Sequence, residues 1–304
     1  METTERTWYL RDEFQVRSQV REYQVSEQLR LLVLGAHPDD AEFHAGGLIS
    51  QYCRAGHVVK LVSVTNGGAG HHQRSSDELV KLRRQEARAA GELVGAEYVT
   101  WDHPDGSLLP SLEVREQVIR EIRTFAPDLV LTHRTNDYHP DHRAVGQVVQ
   151  DASYMVTVPL VCPETPILER DPIVAYMNDH FTRPCSLRPD VIVDITNEID
   201  NVVQMLACHV SQVFEFLPYN RSIPGPVPDG SRERLAWLKN WYGSRVAERN
   251  ARFAEAVAQW QQLHGYTPES IEVYEISEYA SQLTDARKQA LFQLPSTPQK
   301  ATDG

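Results

Sequence analysis

His37, Asp39 and Asp40 stand in the run Ala36-His37-Pro38-Asp39-Asp40-Ala41-Glu42-Phe43-His44, just past the apolar run Leu31-Leu32-Val33-Leu34. A second acid–imidazole run, Asp137-Tyr138-His139-Pro140-Asp141-His142, follows Leu129-Val130-Leu131. Imidazoles and carboxylates together suit zinc or a similar divalent ion. His37 and Asp40 are three residues apart across a strand-to-helix turn that Pro38 stiffens. Both point inward if the helix begins at Asp40. His142 offers a third ligand from the matching turn after another strand. Two imidazoles and one carboxylate leave a position for water, which a catalytic zinc requires and activates near neutral pH.

The neighbours of these three suggest roles. Asp39 lies between two proposed ligands and can take a proton from the attacking water. His139 sits one turn before His142 and can protonate a leaving group or steady an oxyanion. Asp141 can orient an imidazole. The competing reading is local, because Asp and Asn ahead of a helix are usually caps. Either run alone is weak evidence. The two together, in equivalent positions past two strands, point to a metal-dependent hydrolase.

The elements that must hold these residues alternate along the chain. Short apolar runs at 31–35, 58–64, 97–101 and 128–132 read as strands, and the amphipathic stretches between them as helices. Repeating βα units predict a Rossmann-like α/β fold: a mostly parallel sheet with helices on both faces. Ligands in such sheets sit beyond the carboxyl ends of the strands. His37–Asp40, the 65–70 glycine loop, Asp102–Gly106 and His133–His142 all fall there. C-terminal additions are expected: a strand at 191–195, a helix from Thr196 to about Phe216, a long helix over 231–264 bent near Tyr242-Gly243, and an edge strand over 270–279. The expected organisation is an N-terminal extension (1–29), one α/β domain (30–285) and a flexible tail (286–304).

The 304 residues are 41% hydrophobic, with 30 Lys plus Arg against 42 Asp plus Glu and a formal charge of −12. That balance argues against nucleic-acid and anionic-membrane binding. Four scattered cysteines with no C-x-x-C pair read as reduced thiols. No signal peptide or membrane-length apolar run is seen, so a cytoplasmic protein is expected. A dinucleotide site is a poor reading, since Gly35 is followed by Ala36-His37-Pro38 instead of the glycine-rich fingerprint.

These motifs resemble the family of zinc-dependent de-N-acetylases (PIG-L/LmbE-like), which includes N-acetylglucosaminyl-phosphatidylinositol de-N-acetylase and the deacetylases of mycothiol and bacillithiol synthesis. The likeness runs from about 30 to 215 and more weakly to 280. It rests on Ala36-His37-Pro38-Asp39-Asp40 with Glu42 and Gly46-Gly47, and on His139-Pro140-Asp141-His142. Thr65-Asn66-Gly67, Arg83 to Glu86, Asp105-Gly106 and Ala207-Cys208-His209-Val210-Ser211-Gln212 also fit. Two departures are Gly68, where an acid is common, and the missing lysine near Val203-Gln204.

The resemblance implies His37, Asp40 and His142 as metal ligands and Asp39 as general base. It makes His139 the group that stabilises the tetrahedral intermediate or protonates the amine, with Asp141 its orienting partner or that of a neighbouring histidine. It implies Zn2+, with Fe2+ or another divalent ion as the alternative, and removal of an acetyl group from an amino sugar or its conjugate. A homo-oligomer, trimer or hexamer, is expected. Arg83, Asp105, Asn136, Tyr138 and His209 are the substrate-contact candidates, each with a structural alternative: a surface pair with Glu86 for Arg83, turn capping for Asp105 and Asn136, a core role for His209. Alternatives for the whole chain are a metal-dependent amidase or esterase on a non-sugar molecule, and a non-catalytic metal-binding protein.

Overall fold

The computed structural model describes residues 28–294 apart from 224. The expected N-terminal extension therefore lies outside the described residues except for Gln28 and Leu29. The first half is a series of βα units: β1 (Arg30–Gly35), α1 (Asp40–Arg54), β2 (Val58–Thr65), α2 (Ser76–Val94), β3 (Glu97–His103), α3 (Leu112–Phe125), β4 (Leu129–Thr132) and α4 (Pro140–Ala152). Then come β5 (Ile173–Met177), β6 (Val191–Asp194), α5 (Ile199–Cys208), the short α6 (Leu217–Tyr219), α7 (Ser231–Arg252), α8 (Ala254–His264), β7 (Ile271–Ile276) and α9 (Asp285–Phe292).

One seven-stranded sheet runs β3-β2-β1-β4-β5-β7-β6. The first five strands are parallel, and β7 pairs antiparallel with both β5 and β6. Leu31 to Leu34 are all fully buried because β1 is central and covered on both sides. Successive side chains alternate between faces. Leu31 and Val33 join the layer that includes α1, α5 and α7, while Leu32 and Leu34 join the layer of α3 and α4. Strand order reverses between β1 and β4, whose carboxyl ends bound the crevice where such sheets take ligands. A glycine lets α4 approach that edge: a Cβ on Gly146 would meet the His133 carbonyl oxygen at 2.6 Å.

The C-terminal part departs from expectation in four places. The 270–279 strand is internal, with β6 outside it, because strand order depends on pairing partners far along the chain. The helix expected from Thr196 to Phe216 is interrupted at His209 (φ −83, ψ 60) and resumes as a turn of π-helix over Ser211–Phe216. The long helix is continuous through Gly243 and breaks at Phe253, which packs against the β6/β7 layer. The tail expected from 286 instead begins with α9, whose Leu291 and Phe292 are buried in the core. Residues 295–304 lie outside the described residues.

Candidate active site

The turn between β1 and α1 is unusual at Asp39, whose φ of 118 and ψ of −22 put a non-glycine residue in left-handed territory. Asp is among the few side chains found there, and such strain persists only where surroundings enforce it. The Asp39 N–H donates to the Tyr98 hydroxyl at 3.1 Å. Tyr98 in turn donates to Glu42 at 3.4 Å, and Glu42 Oε1 meets His209 Nε2 at 2.8 Å. From the other side Arg83 donates to the Pro38 carbonyl and lies 3.1 Å from Asp39 Oδ2. Gly67 makes room for that arginine: at φ +66, a Cβ would stand 2.8 Å from Arg83 Cδ. Burial pushes the Asp39 carboxyl up to about 6, with Arg83 pulling it back and Asp40 adding to the rise.

Three donors meet across the crevice. His37 Nδ1 is 3.5 Å from Asp40 Oδ2, Asp40 Oδ1 is 3.4 Å from His142 Nε2, and His142 Nε2 is 3.3 Å from His37 Nδ1. Ligands bound at 2.0–2.1 Å with tetrahedral angles stand about 3.3–3.4 Å apart. His37 Nδ1 and His142 Nε2 therefore stand as two ligands of one zinc-type ion would, and Asp40 offers a different oxygen to each of them. The outer nitrogens agree. His37 Nε2 faces Asp105 Oδ1 at 3.1 Å and Asp141 Oδ2 at 3.3 Å, which keeps its proton there and frees Nδ1. His142 Nδ1 lies 3.1 Å from Asp137 Oδ1, although not aligned for a hydrogen bond.

Burial works against charge on His37, but Asp105, Asp141 and Asp40 raise its pKa well above the ordinary value. His142 is likewise raised to about 9, by Asp40 and Asp137 against burial. Burial also opposes charge on Asp40, yet His142 and His133 hold its carboxyl well below the usual range. Carboxylates that favour a proton at this point also favour a divalent cation. Among the described residues three sets bring their donor atoms within 4.8 Å of one another: His37/His139/His142, His37/Asp105/His139/Asp141 and Asp40/His133/His142; His142 joins the first to the third, and no one set holds His37, Asp40 and His142 together.

The other expected residues divide. His139 caps α4; its Nδ1 accepts the Asp141 N–H at 3.2 Å, leaving the proton of a neutral ring on Nε2. Its ring is 4.5 Å from that of His37 and lines the cavity. Asp141 is fully buried; its carboxylate accepts the N–H groups of Gly106 and Leu108 and contacts His37, while only its backbone N–H meets His139. Asp105 lines the cavity but spends its oxygens on His37 and on the Ala69 N–H. Arg83 is no surface partner of Glu86: it is buried on Asp39, while Glu86 takes both the N–H and hydroxyl of Ser211. Tyr138 is 68% exposed at the rim. Asn136 and His209 do not line the cavity, and His209 is buried behind it on Glu42.

The structure brings further residues to the site. His133 Nε2 is 3.1 Å from Asp40 Oδ2, and its ring stacks on His142 at 4.0 Å. Its signal was its place, the first residue past β4. Asp137 was part of the noted run but was given no role. The opposite wall of the cavity, about 660 Å³ in volume, brings in Phe43, His180, Trp241, Tyr242, Arg245 and Arg249.

Comparison with known proteins agrees with this geometry. Residues 32–153 match the family model PIG-L, GlcNAc-PI de-N-acetylase. The chain is 26% identical over 202 residues to a 4-oxalmesaconate hydratase of Pseudomonas putida, covering 64% of this chain and 78% of that one. It is 26% identical over 209 residues to a diacetylchitobiose deacetylase of Thermococcus kodakarensis, covering 64% and 76%. Among solved structures, 4-carboxy-2-hydroxymuconate hydratase of Pseudomonas putida superimposes with a TM-score of 0.66 at 21% identity, covering 84% of this chain and all of that one. That last likeness concerns the fold. Both proposed ligand runs and the turn that carries Asp39 lie inside the segment, residues 32–153, that matches the PIG-L model.

Proposed function

We propose that this chain is a metal-dependent hydrolase of the deacetylase type that removes an N-acetyl group from an amino sugar or its conjugate. The observation that carries the reading is the meeting of His37, Asp40 and His142, with contacts of 3.3–3.5 Å that use both Asp40 oxygens, and the buried Asp39 in the same turn. A zinc or ferrous ion held there would polarise the acyl oxygen and acidify water. Asp39, positioned by Arg83, takes the proton from the attacking water. The Nε2–H of neutral His139 donates to the oxygen on which charge develops, or to the departing nitrogen. Burial, and then His37 and His142, lower the His139 pKa and favour the neutral ring. Asp105 and Asp141 keep His37 in one tautomer.

Acetate release by the zinc-loaded protein over N-acetylglucosamine, its short oligomers and its conjugates, beside Asp39→Asn, tests the proposal. Turnover on one of them, lowered about 10²–10⁴-fold in the variant, is expected. Stoichiometric metal with no acetate from any of them would sink it.

A second reading, addition of water to the double bond of an unsaturated acid, is favoured by similarity to the hydratase. The same base and ion suit that reaction, and loss of a conjugated acid's ultraviolet absorbance without acetate would identify it. Assembly as a trimer or hexamer in the cytoplasm is part of the proposal, and light scattering tests the assembly. Among the described residues no helix is long and apolar enough to cross a membrane.

A further inference from the structure

The cavity wall opposite the metal ligands is built from one stripe of α7. Trp241, Arg245 and Arg249 follow at four-residue spacing, with Tyr242 beside them, so one helix face presents all four to the cavity. Arg249 is only 5% exposed, and no carboxylate of the described residues lies within 4.0 Å of it. Its Nη1 donates to the Ile271 carbonyl at 2.8 Å, while its Nε has no partner. The adjacent Tyr242 hydroxyl, on a side chain 1% exposed, also lacks an aligned partner.

Arg245 is 42% exposed at the side chain. It reaches Glu248 at 3.1 Å and donates through Nη2 to His180 Nε2 at 2.8 Å. The Glu248 pair is solvent-exposed and weak. Arg252, behind them, donates to the carbonyls of Asp179 and Phe181 and neutralises no acid. Asp179, the one carboxylate of this wall that lines the cavity, is engaged through both oxygens by Arg134. Glu248 and the buried Glu272, the acids nearest in charge to Arg245 and Arg249, do not line the cavity, so the side of this wall turned to the cavity presents guanidinium groups without a free carboxylate. A buried guanidinium with a free N–H is costly unless an oxygen anion reaches it, and guanidinium is the group that takes carboxylates in a planar fork.

We infer that Arg245 and Arg249, with the Tyr242 hydroxyl, form a carboxylate-binding subsite, and that the substrate is an acid whose reacting group reaches the metal centre while its carboxylate rests on α7. This deepens the proposed function and rests on its premise that chemistry occurs at the His37/Asp40/His142 end. It selects acidic conjugates of an N-acetylated compound over neutral sugars. Phe43 and Trp241, in edge-to-face contact at 5.7 Å between the two ends, supply the apolar middle.

The test is calorimetric binding of linear dicarboxylates, succinate to suberate, to the zinc-loaded full chain, with each monoamide as control for a carboxylate held by the metal alone. The expected result is at least tenfold tighter binding of one chain length than of its monoamide. Arg245→Gln, at an exposed position, should abolish that preference with zinc affinity unchanged, and Arg249→Met should do the same where it folds. Equal binding of diacid and monoamide, or a preference that survives Arg245→Gln, would overturn the subsite. Inorganic phosphate displacing the best dicarboxylate more tightly than the dicarboxylate binds would overturn the carboxylate assignment. Asp39→Asn abolishes turnover without touching the preference, so failure of the subsite and failure of the hydrolase reading are separable.

Discussion

His209 and Glu42 form an ion pair whose side chains are both 0% exposed, and breaking it is the sharpest perturbation this structure offers. In His209→Leu, Glu42 keeps only the Tyr98 hydroxyl at 3.4 Å, and its carboxylate stays buried. Removing one partner of a buried pair costs about 3–5 kcal/mol, because the remaining charge is uncompensated. At about 2–4 °C per kcal/mol for a large domain, the melting temperature should fall by roughly 6–20 °C. Replacing both, in Glu42→Leu/His209→Leu, removes the stranded charge and should recover most of that loss.

The pair also predicts a pH signature. Burial disfavours charge on His209, but Glu42 overcomes it and raises the pKa above the ordinary 6.5. A histidine raised on folding adds stability in full below its unfolded pKa and loses it as pH rises through the folded value. Wild type should therefore lose stability relative to the double variant on going from about pH 6.5 upward. Urea unfolding at several pH values measures both effects. A single variant within about 1 kcal/mol of wild type, with no recovery in the double, would refute the reasoning.

Three further outcomes are expected. Chelation should lower the melting temperature and zinc restore it, by about 2.7 kcal/mol when free metal is a hundredfold above Kd; a melt insensitive to metal would count against the proposed ligand set. Gly146→Ala drives a Cβ against the backbone at His133 and Arg134, at 2.6–2.9 Å, so α4 must shift and carry His142 with it. Weaker zinc binding in an equilibrium titration, together with a stability loss of about 1–3 kcal/mol, is the expected result. Gly243→Ala and Gly47→Ala should have opposite signs in a urea melt. The first adds a methyl in open space on α7 and should stabilise by about 0.5–1 kcal/mol. The second forces a Cβ to 2.3 Å from Ile195 and should destabilise by about 1–3 kcal/mol.

The parallel half of the fold was readable because its central strands, β1 and β4, are short buried apolar runs followed at once by polar chemistry. His37, Asp40 and His142 were readable for the same reason. Partners distant in sequence were not. His209 finds Glu42 across 167 positions, and Asp105 turns to His37 rather than outward. No local pattern reports such pairings. His133 was hidden by its place between a strand and a louder motif. The arginine stripe on α7 was hidden by the helix's own composition, since polar residues at helical spacing usually face solvent. Strand β7 alternates as an edge strand would, but periodicity does not say which strands flank it.

The two halves of the proposed ligand set come from the turn after β1 and from the first turn of α4, which follows β4, and His37 and His142 are separated by 105 positions. A ribosome adding roughly 5–20 residues per second delivers the second half roughly 5–20 seconds after the first. During that interval the nascent chain offers only His37 and Asp40 of the three proposed ligands. The strand pairing that completes the set must also close a long loop, which is intrinsically slow. On the proposed ligand set, metal binding is tied to the closing of β4 onto β1. Metal supply during synthesis then acts on the fraction of chains that complete this step, more than on the speed with which they begin to fold.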